Sequence, residues 1–332
     1  MRPPGHLLRR ITQRVDPFLV TLLGSVALAT LVPARGVAAE ALERAVGGAV
    51  ALIFFLYGAR LPTQEALGAI RSWRLHATVL LATFGLFPLL GLAGRLAARS
   101  LGLPEELAQG MLFLTLLPST VQSSITFTSI ARGNIAGAVV SASLSNLLGI
   151  LATPLLVALL LGGTVGFSGR SVATISLQLL LPFLLGQALR RWVAPRVLRH
   201  PGLTRATDRG AVVLVVYAAF SDAVTSGLWS LVSARSLLVC LALAAVMLGT
   251  ILGVTSRLGH ALHFPRADRV VILMCGSKKS LASGVPIATV LLPGASLGMM
   301  LLPLMIFHQL QLMVCATLAR RMSRGAGATA TE

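Results

Sequence analysis

The stretch RVVILMCGSKKSLASGVPIATVL, residues 269–291, decides how this chain folds. Its length suits one crossing of a bilayer whose hydrocarbon core is about 30 Å thick, which takes about 20 apolar residues as a helix. Yet its centre holds Gly276, Ser277, Lys278, Lys279 and Ser280, and these two lysines are the only ones in the protein. They lie about nine residues, roughly 13 Å of helix, from Arg269 at the basic end of the run, which is close to the midplane. An unpaired cation at that depth is costly on every scale. One lysine near a helix end could snorkel to the interface, whereas two at the centre point to function.

Nine more apolar runs surround this one: 17–33, 45–61, 75–94, 107–131, 134–161, 172–189, 211–231 and 236–255 before it, and 295–318 after it, with the central run itself at 269–292. The 332 residues are 55% hydrophobic and 11% charged, with a mean hydropathy of +0.85. A soluble domain carries about 25% charged residues, so lipid must cover much of this surface. In a soluble protein the net charge of +18 would suggest nucleic acid, but here the basic residues sit in the short joints between runs and act as topology signals. No nucleic-acid partner is expected. Cys240, Cys275 and Cys315 all fall inside apolar runs without paired spacing, so neither a disulfide framework nor a metal site is expected.

Ten spans put both termini on one side. Counting the joints alternately, 20 arginines share that side and 6 lie opposite, which places both termini in the cytoplasm of an inner-membrane protein. Arg9, Arg10, the run from Pro17 to Val32 and the small residues PARGVAAEA resemble a signal peptide. The topology needs that segment as its first span, and it is read so.

A second run is interrupted in the same manner. Residues 107–134 read LAQGMLFLTLLPSTVQSSITFTSIARGN, with Pro118, Ser119, Thr120, Gln122, Ser123 and Ser124 at the centre. Backbone groups freed from a helix at membrane depth must be buried in protein or line a cavity. Interrupted spans in corresponding positions of two halves are the best sequence pointer to a transporter's site. These are the fourth and ninth spans, hence the fourth of each half of five, and an odd number inserts the second half upside down. The expected fold is an all-α polytopic membrane protein with ten transmembrane helices in two inverted repeats, residues 1–161 and 162–332. Packing features explain prolines and Ser/Thr in single spans well enough. The paired breaks and the lysines are what favour a site.

At these residues the chain resembles a known family. GSKKSLASGVP (276–286), VYAAFSDAVTSGLW (216–229), STVQSSITFTSIARGN (119–134) and FHQLQLMVC (307–315) are similar to the bile acid:sodium symporter superfamily, closest to its sodium/bile acid cotransporter 7-like branch. The resemblance implies a panel domain of spans 1, 2, 6 and 7, a core of spans 3–5 and 8–10, broken spans 4 and 9 crossing in that core, and sodium-coupled uptake of an organic anion. In well-described members of that family a glutamate in the span 9 crossover and a glutamine in span 3 serve sodium. Here the crossover has no acid, and residues 75–94 contain no glutamine. Sodium needs several oxygen ligands and a compensating negative charge, and two ammonium groups supply the reverse. The oxygens left to serve it are those of Ser123, Ser124, Ser141, Ser143, Ser145 and Asn146.

The expected substrate and ion site therefore comprises Lys278, Lys279, Ser277, Ser280, Gln122, Ser123, Ser124, Asn146, Asp222 and His308, with Ser123, Ser124, Ser141 and Ser145 as the set for any sodium ion. No other cofactor is expected. Asp222, placed at the middle of span 7, could line the cleft, neutralise a lysine or carry a proton, or it could cap a local kink beside Ser221 and Thr225 or lie nearer an interface. His308, Gln309 and Gln311 of span 10 could reach the crossover, either as a relay or as groups satisfied by neighbouring helices. The basic stretch Arg190–Arg209 joins the halves and suits anionic headgroups. An enzyme would need paired acids, a metal cluster or a nucleophile with its base, and the spans hold none. The reading is an alternating-access transporter of a small organic anion, one lysine occupying the space where relatives hold sodium. The alternative is a channel or a non-transporting regulatory protein of the same fold.

Overall fold

The computed structural model describes residues 17–60, 72–165, 169–292 and 297–328. The N-terminal stretch weighed as a signal peptide lies partly outside these residues, as do Arg2, Arg9, Arg10, Arg14 and Arg71 of the charge count. Among the described residues every regular element is helical. The helices are α1 Pro17–Leu31, α2 Val37–Arg60, α3 Trp73–Ser100, α4 Glu105–Phe113, α5 Gln122–Ile130, α6 Ile135–Val165, α7 Gly169–Ala188, α8 Arg190–Arg199, α9 Pro201–Thr225, α10 Leu228–Leu231, α11 Ala234–Ala261, α12 Arg266–Gly276, α13 Leu281–Leu291 and α14 Leu297–Ala328. Five described stretches are long and apolar enough to cross a membrane: 73–100, 135–162, 234–261, 266–291 and 297–324.

Both interrupted runs are broken where their composition changes. After Phe113 the helix tightens into a single 3₁₀ turn over Leu114–Leu116, then Leu117 turns extended, with ψ 157° ahead of Pro118. A residue before proline is pushed out of the helical region by the ring's Cδ. The second run stops at Gly276 and restarts at Leu281, where the Ser280 hydroxyl accepts the N–H of Ser283 at 3.1 Å as an N-cap. Of the five candidate spans, α12–α13 is the most enclosed: 94% of its apolar stretch is buried, against 28% of that of α11. Polar groups are tolerable there because protein, not lipid, surrounds them.

Around this centre, α1 packs on α9 and α2 on α7. The second contact is unusually close. A Cβ on Gly58 would run into the Phe183 carbonyl oxygen, and one on Gly186 into that of Phe55. Backbone atoms cannot step aside as a side-chain tip can. Gly58→Val or Gly186→Val is therefore expected to cost at least about 2 kcal/mol, read as a lower unfolding midpoint in detergent. Unchanged midpoints would show that the two helices can separate freely.

The turn from α3 to α4 is tied by charge. Glu105 accepts from Arg99 Nε and Nη2 at 2.6 Å, Arg95 Nη2 at 2.8 Å and Gln109 Nε2 at 3.1 Å. The Arg99 hydrogen bonds above all, helped by Arg95 and Gln109, hold its carboxyl down to about 2 against the opposing pull of partial burial. Its folded value lies below the ordinary 4.5, so the stabilisation is full above that pH and is lost as pH falls through about 2. Glu105 is 38% exposed, so Glu105→Gln is expected to cost no more than about 1 kcal/mol at neutral pH. The gap in unfolding midpoint between the two proteins should close on strong acidification.

One placement is corrected. The helix read as residues 211–231 runs from Pro201 to Thr225, because Pro201 suits a first helical position and Gly227, at φ 89°, takes the left-handed conformation that ends it. The basic joint accordingly divides into α8 and the first turns of α9. Asp222 lies in the last turn of α9, not at its middle, and is exposed.

Candidate functional site at the crossed helix breaks

The two breaks touch. Ser280 donates its N–H to the Pro118 carbonyl at 2.9 Å, the Ser119 hydroxyl donates to the Cys275 carbonyl at 2.6 Å, and the Ser124 hydroxyl to that of Met274 at 3.1 Å. Every backbone group freed by a break needs a partner, and α6 supplies several for the first. Thr153 donates to the Leu116 carbonyl at 2.8 Å, Ser145 Oγ accepts the N–H of Ser119 at 3.0 Å, and Asn146 Nδ2 donates to the Ser119 carbonyl at 2.8 Å. Asn146 Oδ1 in turn accepts from Ser283 at 2.7 Å, tying α6 to α13.

The second break is held by α14. Gln311 accepts the Lys279 N–H on Oε1 at 2.8 Å and donates Nε2 to the Lys279 carbonyl at 2.7 Å. The same amide nitrogen lies 2.8 Å from His308 Nδ1. Both amide hydrogens are then used and Nδ1 is the acceptor. A side-chain amide so placed reproduces the pair of bonds that a neighbouring peptide would make.

Lys279 is wholly enclosed, and its ammonium donates to two carbonyls, Thr83 and Leu117, each at 2.7 Å. Both oxygens are free for a local reason. Leu117 is the extended residue of the first break. Thr83 belongs to a π-helical turn, Ala82–Leu86, in which the Phe87 N–H reaches back to Ala82, and the next residue, Pro88, has no N–H to give. The ring of Phe87 lies 4.3 Å from the ammonium and that of Phe84 5.8 Å, a cage of two carbonyls and two aromatic faces.

Lys278 is equally buried but differently served. Its Nζ lies 4.3 Å above the Phe127 ring, and no protein acceptor is within hydrogen-bonding distance.

Lys278, Lys279, Ser277, Ser280, Ser124, Ser145, Asn146 and His308 thus gather at the crossing. Ser277 is spent on the Leu273 carbonyl of its own helix. Ser123 is half-buried beside Thr120, 2.7 Å from its hydroxyl, and Gln122 is exposed at the start of α5. Ser141 is buried with its Oγ 2.8 Å from His76 Nδ1. No ion pair joins Asp222 to either lysine. Of the oxygens considered for sodium, Ser124 Oγ donates to the Met274 carbonyl, Ser141 Oγ pairs with His76, Ser145 Oγ accepts from Ser119, Ser123 Oγ pairs with Thr120 and Asn146 Oδ1 accepts from Ser283. There is no carboxylate among these donors, and the Lys279 Nζ takes the position between the Thr83 and Leu117 carbonyls. Thr83 and Ser119 were not among the candidate residues, whereas the Leu117 carbonyl is one that the first break frees. Phe87-Pro88, five residues beyond Thr83, was the one local sign of the free Thr83 carbonyl.

The family profile of the SBF-like CPA transporter family matches residues 16–324. The uncharacterized protein PA2026 of Pseudomonas aeruginosa is 49% identical over 311 residues, covering 93% of each chain. YfeH of Escherichia coli, which carries a provisional symporter name, is 46% identical over 313 residues, again 93% of each chain. Sodium/bile acid cotransporter 7 of Rattus norvegicus is 26% identical over 323 residues, 94% of this chain and 93% of its own.

Proposed function

We propose, from the premise that this chain belongs to the SBF-like CPA transporter family, that it carries an organic anion by alternating access and that Lys279 replaces the coupling cation. Membership makes it an integral membrane transporter and not an enzyme. The proposal extends to ten helices in two inverted repeats, residues 1–161 and 162–332. A panel of spans 1, 2, 6 and 7 would rock against a core of spans 3–5 and 8–10, in an inner membrane with both termini in the cytoplasm.

The observation that carries this reading is the ammonium of Lys279 donating to the Thr83 and Leu117 carbonyls. A cation at that point joins α3 to both breaks, and a tethered one needs no ion gradient to keep it there. Positive charge at the crossing also suits an anionic solute, as the bile acids in the rat relative's name are anions.

The test is uptake of radiolabelled taurocholate into liposomes containing the purified protein. Saturable uptake, unchanged when potassium replaces sodium, is expected. A strict need for sodium would refute the role given to Lys279. Flux without saturation would favour a channel, and no flux for this or other organic anions a non-transporting protein.

A further inference from the structure

Lys278 and Lys279 are neighbours with opposite surroundings, and the difference bears on what drives transport. The Lys279 ammonium has two carbonyls, whereas the Lys278 Nζ has none and is fully enclosed. That Nζ lies 4.3 Å from the Phe127 ring of α5, which packs on the apolar cluster of Ala131, Val270, Leu273, Met274, Cys315 and Ala319. An ammonium has three N–H donors and no lone pair, so in this cage all three would go unmet. The ring face returns only part of that cost. The ionisable groups close enough to act on Lys278 are two thiols, Cys275 of its own helix and Cys315 of α14. Neither brings a charge. α5 contains no ionisable residue, and α3, α6 and α11, which also pack on α12, present it no charged group. His76 of α3 is turned to Ser141.

We propose that Lys278 is the proton site of the transport cycle, a neutral amine while the crossing is closed and an ammonium when an anion comes within reach. This rests on the transporter reading above. In the step itself the Lys278 lone pair takes a proton from the aqueous side by which the anion enters, forming one N–H bond. The ammonium and the anion make a neutral pair that can share the occluded site. On the other side the anion leaves, the ammonium loses its partner, and that N–H bond breaks to return the proton to water. One proton accompanies each monoanion, and no other reactant is consumed. Lys279, whose ammonium stays bonded through the cycle, keeps the cation's structural place while Lys278 supplies the coupling that sodium would have supplied.

With only two lysines in the chain, the charge of each can be read directly. Protein grown on ¹³C,¹⁵N-lysine and placed in phospholipid nanodiscs gives two side-chain signals by NMR. Lys278→Met, whose stability is expected to hold, assigns them or, if that variant does not fold, Lys278→Gln. Without solute at neutral pH, Lys278 Nζ should carry two hydrogens and Lys279 Nζ three, and acidification should add the third to Lys278. An ammonium at both positions at neutral pH overturns the proposal, as does an amine that never protonates. Either result stands whatever the flux assay shows, so failure here is distinct from failure of the transporter reading.

Discussion

Replacing Lys279 by methionine is expected to abolish transport and to destabilise the protein by about 2–6 kcal/mol. Methionine fills much the same volume, so no large cavity opens. What remains is two buried carbonyls, Thr83 and Leu117, that have lost their donor. Each unsatisfied group of this kind costs about 1–3 kcal/mol. Lys279→Arg should fare little better, because a planar fork cannot take the place of a compact point charge between two oxygens and two rings. If the cage binds an ammonium as such, methylammonium should restore part of the lost stability in Lys279→Ala, and sodium should not. The measurements are unfolding midpoints in detergent and flux in liposomes. A Lys279→Met protein as stable as the parent would show that the two carbonyls find other donors. Lys278→Met should behave oppositely in stability. Removing a polar group without a protein partner from an apolar cage leaves nothing unpaired, so its midpoint should hold or rise.

The second large effect is expected at Gln311. Gln311→Leu removes both hydrogen bonds to the Lys279 peptide and leaves its N–H without that acceptor and its C=O with the 3.4 Å contact to His308 Nδ1. The cost should again be about 2–6 kcal/mol, and the lysine's aim should be lost with it. Gln311→Glu separates the two halves of the clamp. A carboxylate still accepts from the N–H but gives no hydrogen to the carbonyl, so an intermediate loss is expected. Should Gln311→Leu match the parent in both stability and flux, the peptide is held by something else.

Physical reasons separate what could be read from the chain from what could not. The breaks were legible because their causes are local. Pro118 and Gly276 interrupt a helix through their own covalent structure, and polar residues inside an apolar run mark the place. The burial of the lysines followed from depth along a span. Asp222 was misplaced because hydropathy alone carried the span through Leu228–Leu231, past the turn at Gly227. Ser141 was grouped with the sodium candidates for its residue type, which says nothing of where α6 turns it.

The two lysines, adjacent and identical in kind, could not be told apart in the sequence. Their difference is made by residues far along the chain. Lys279 meets Thr83, 196 residues away, and Leu117, 162 away. Lys278 meets the ring of Phe127. Composition, charge bias and helix-breaking residues determined by themselves that this chain lives in a membrane with two broken helices and a buried pair of lysines, since each follows from covalent properties of short segments. Which lysine is bonded and which is left without a protein partner was decided only by the tertiary structure, because it depends on carbonyls freed in one helix facing a side chain from another.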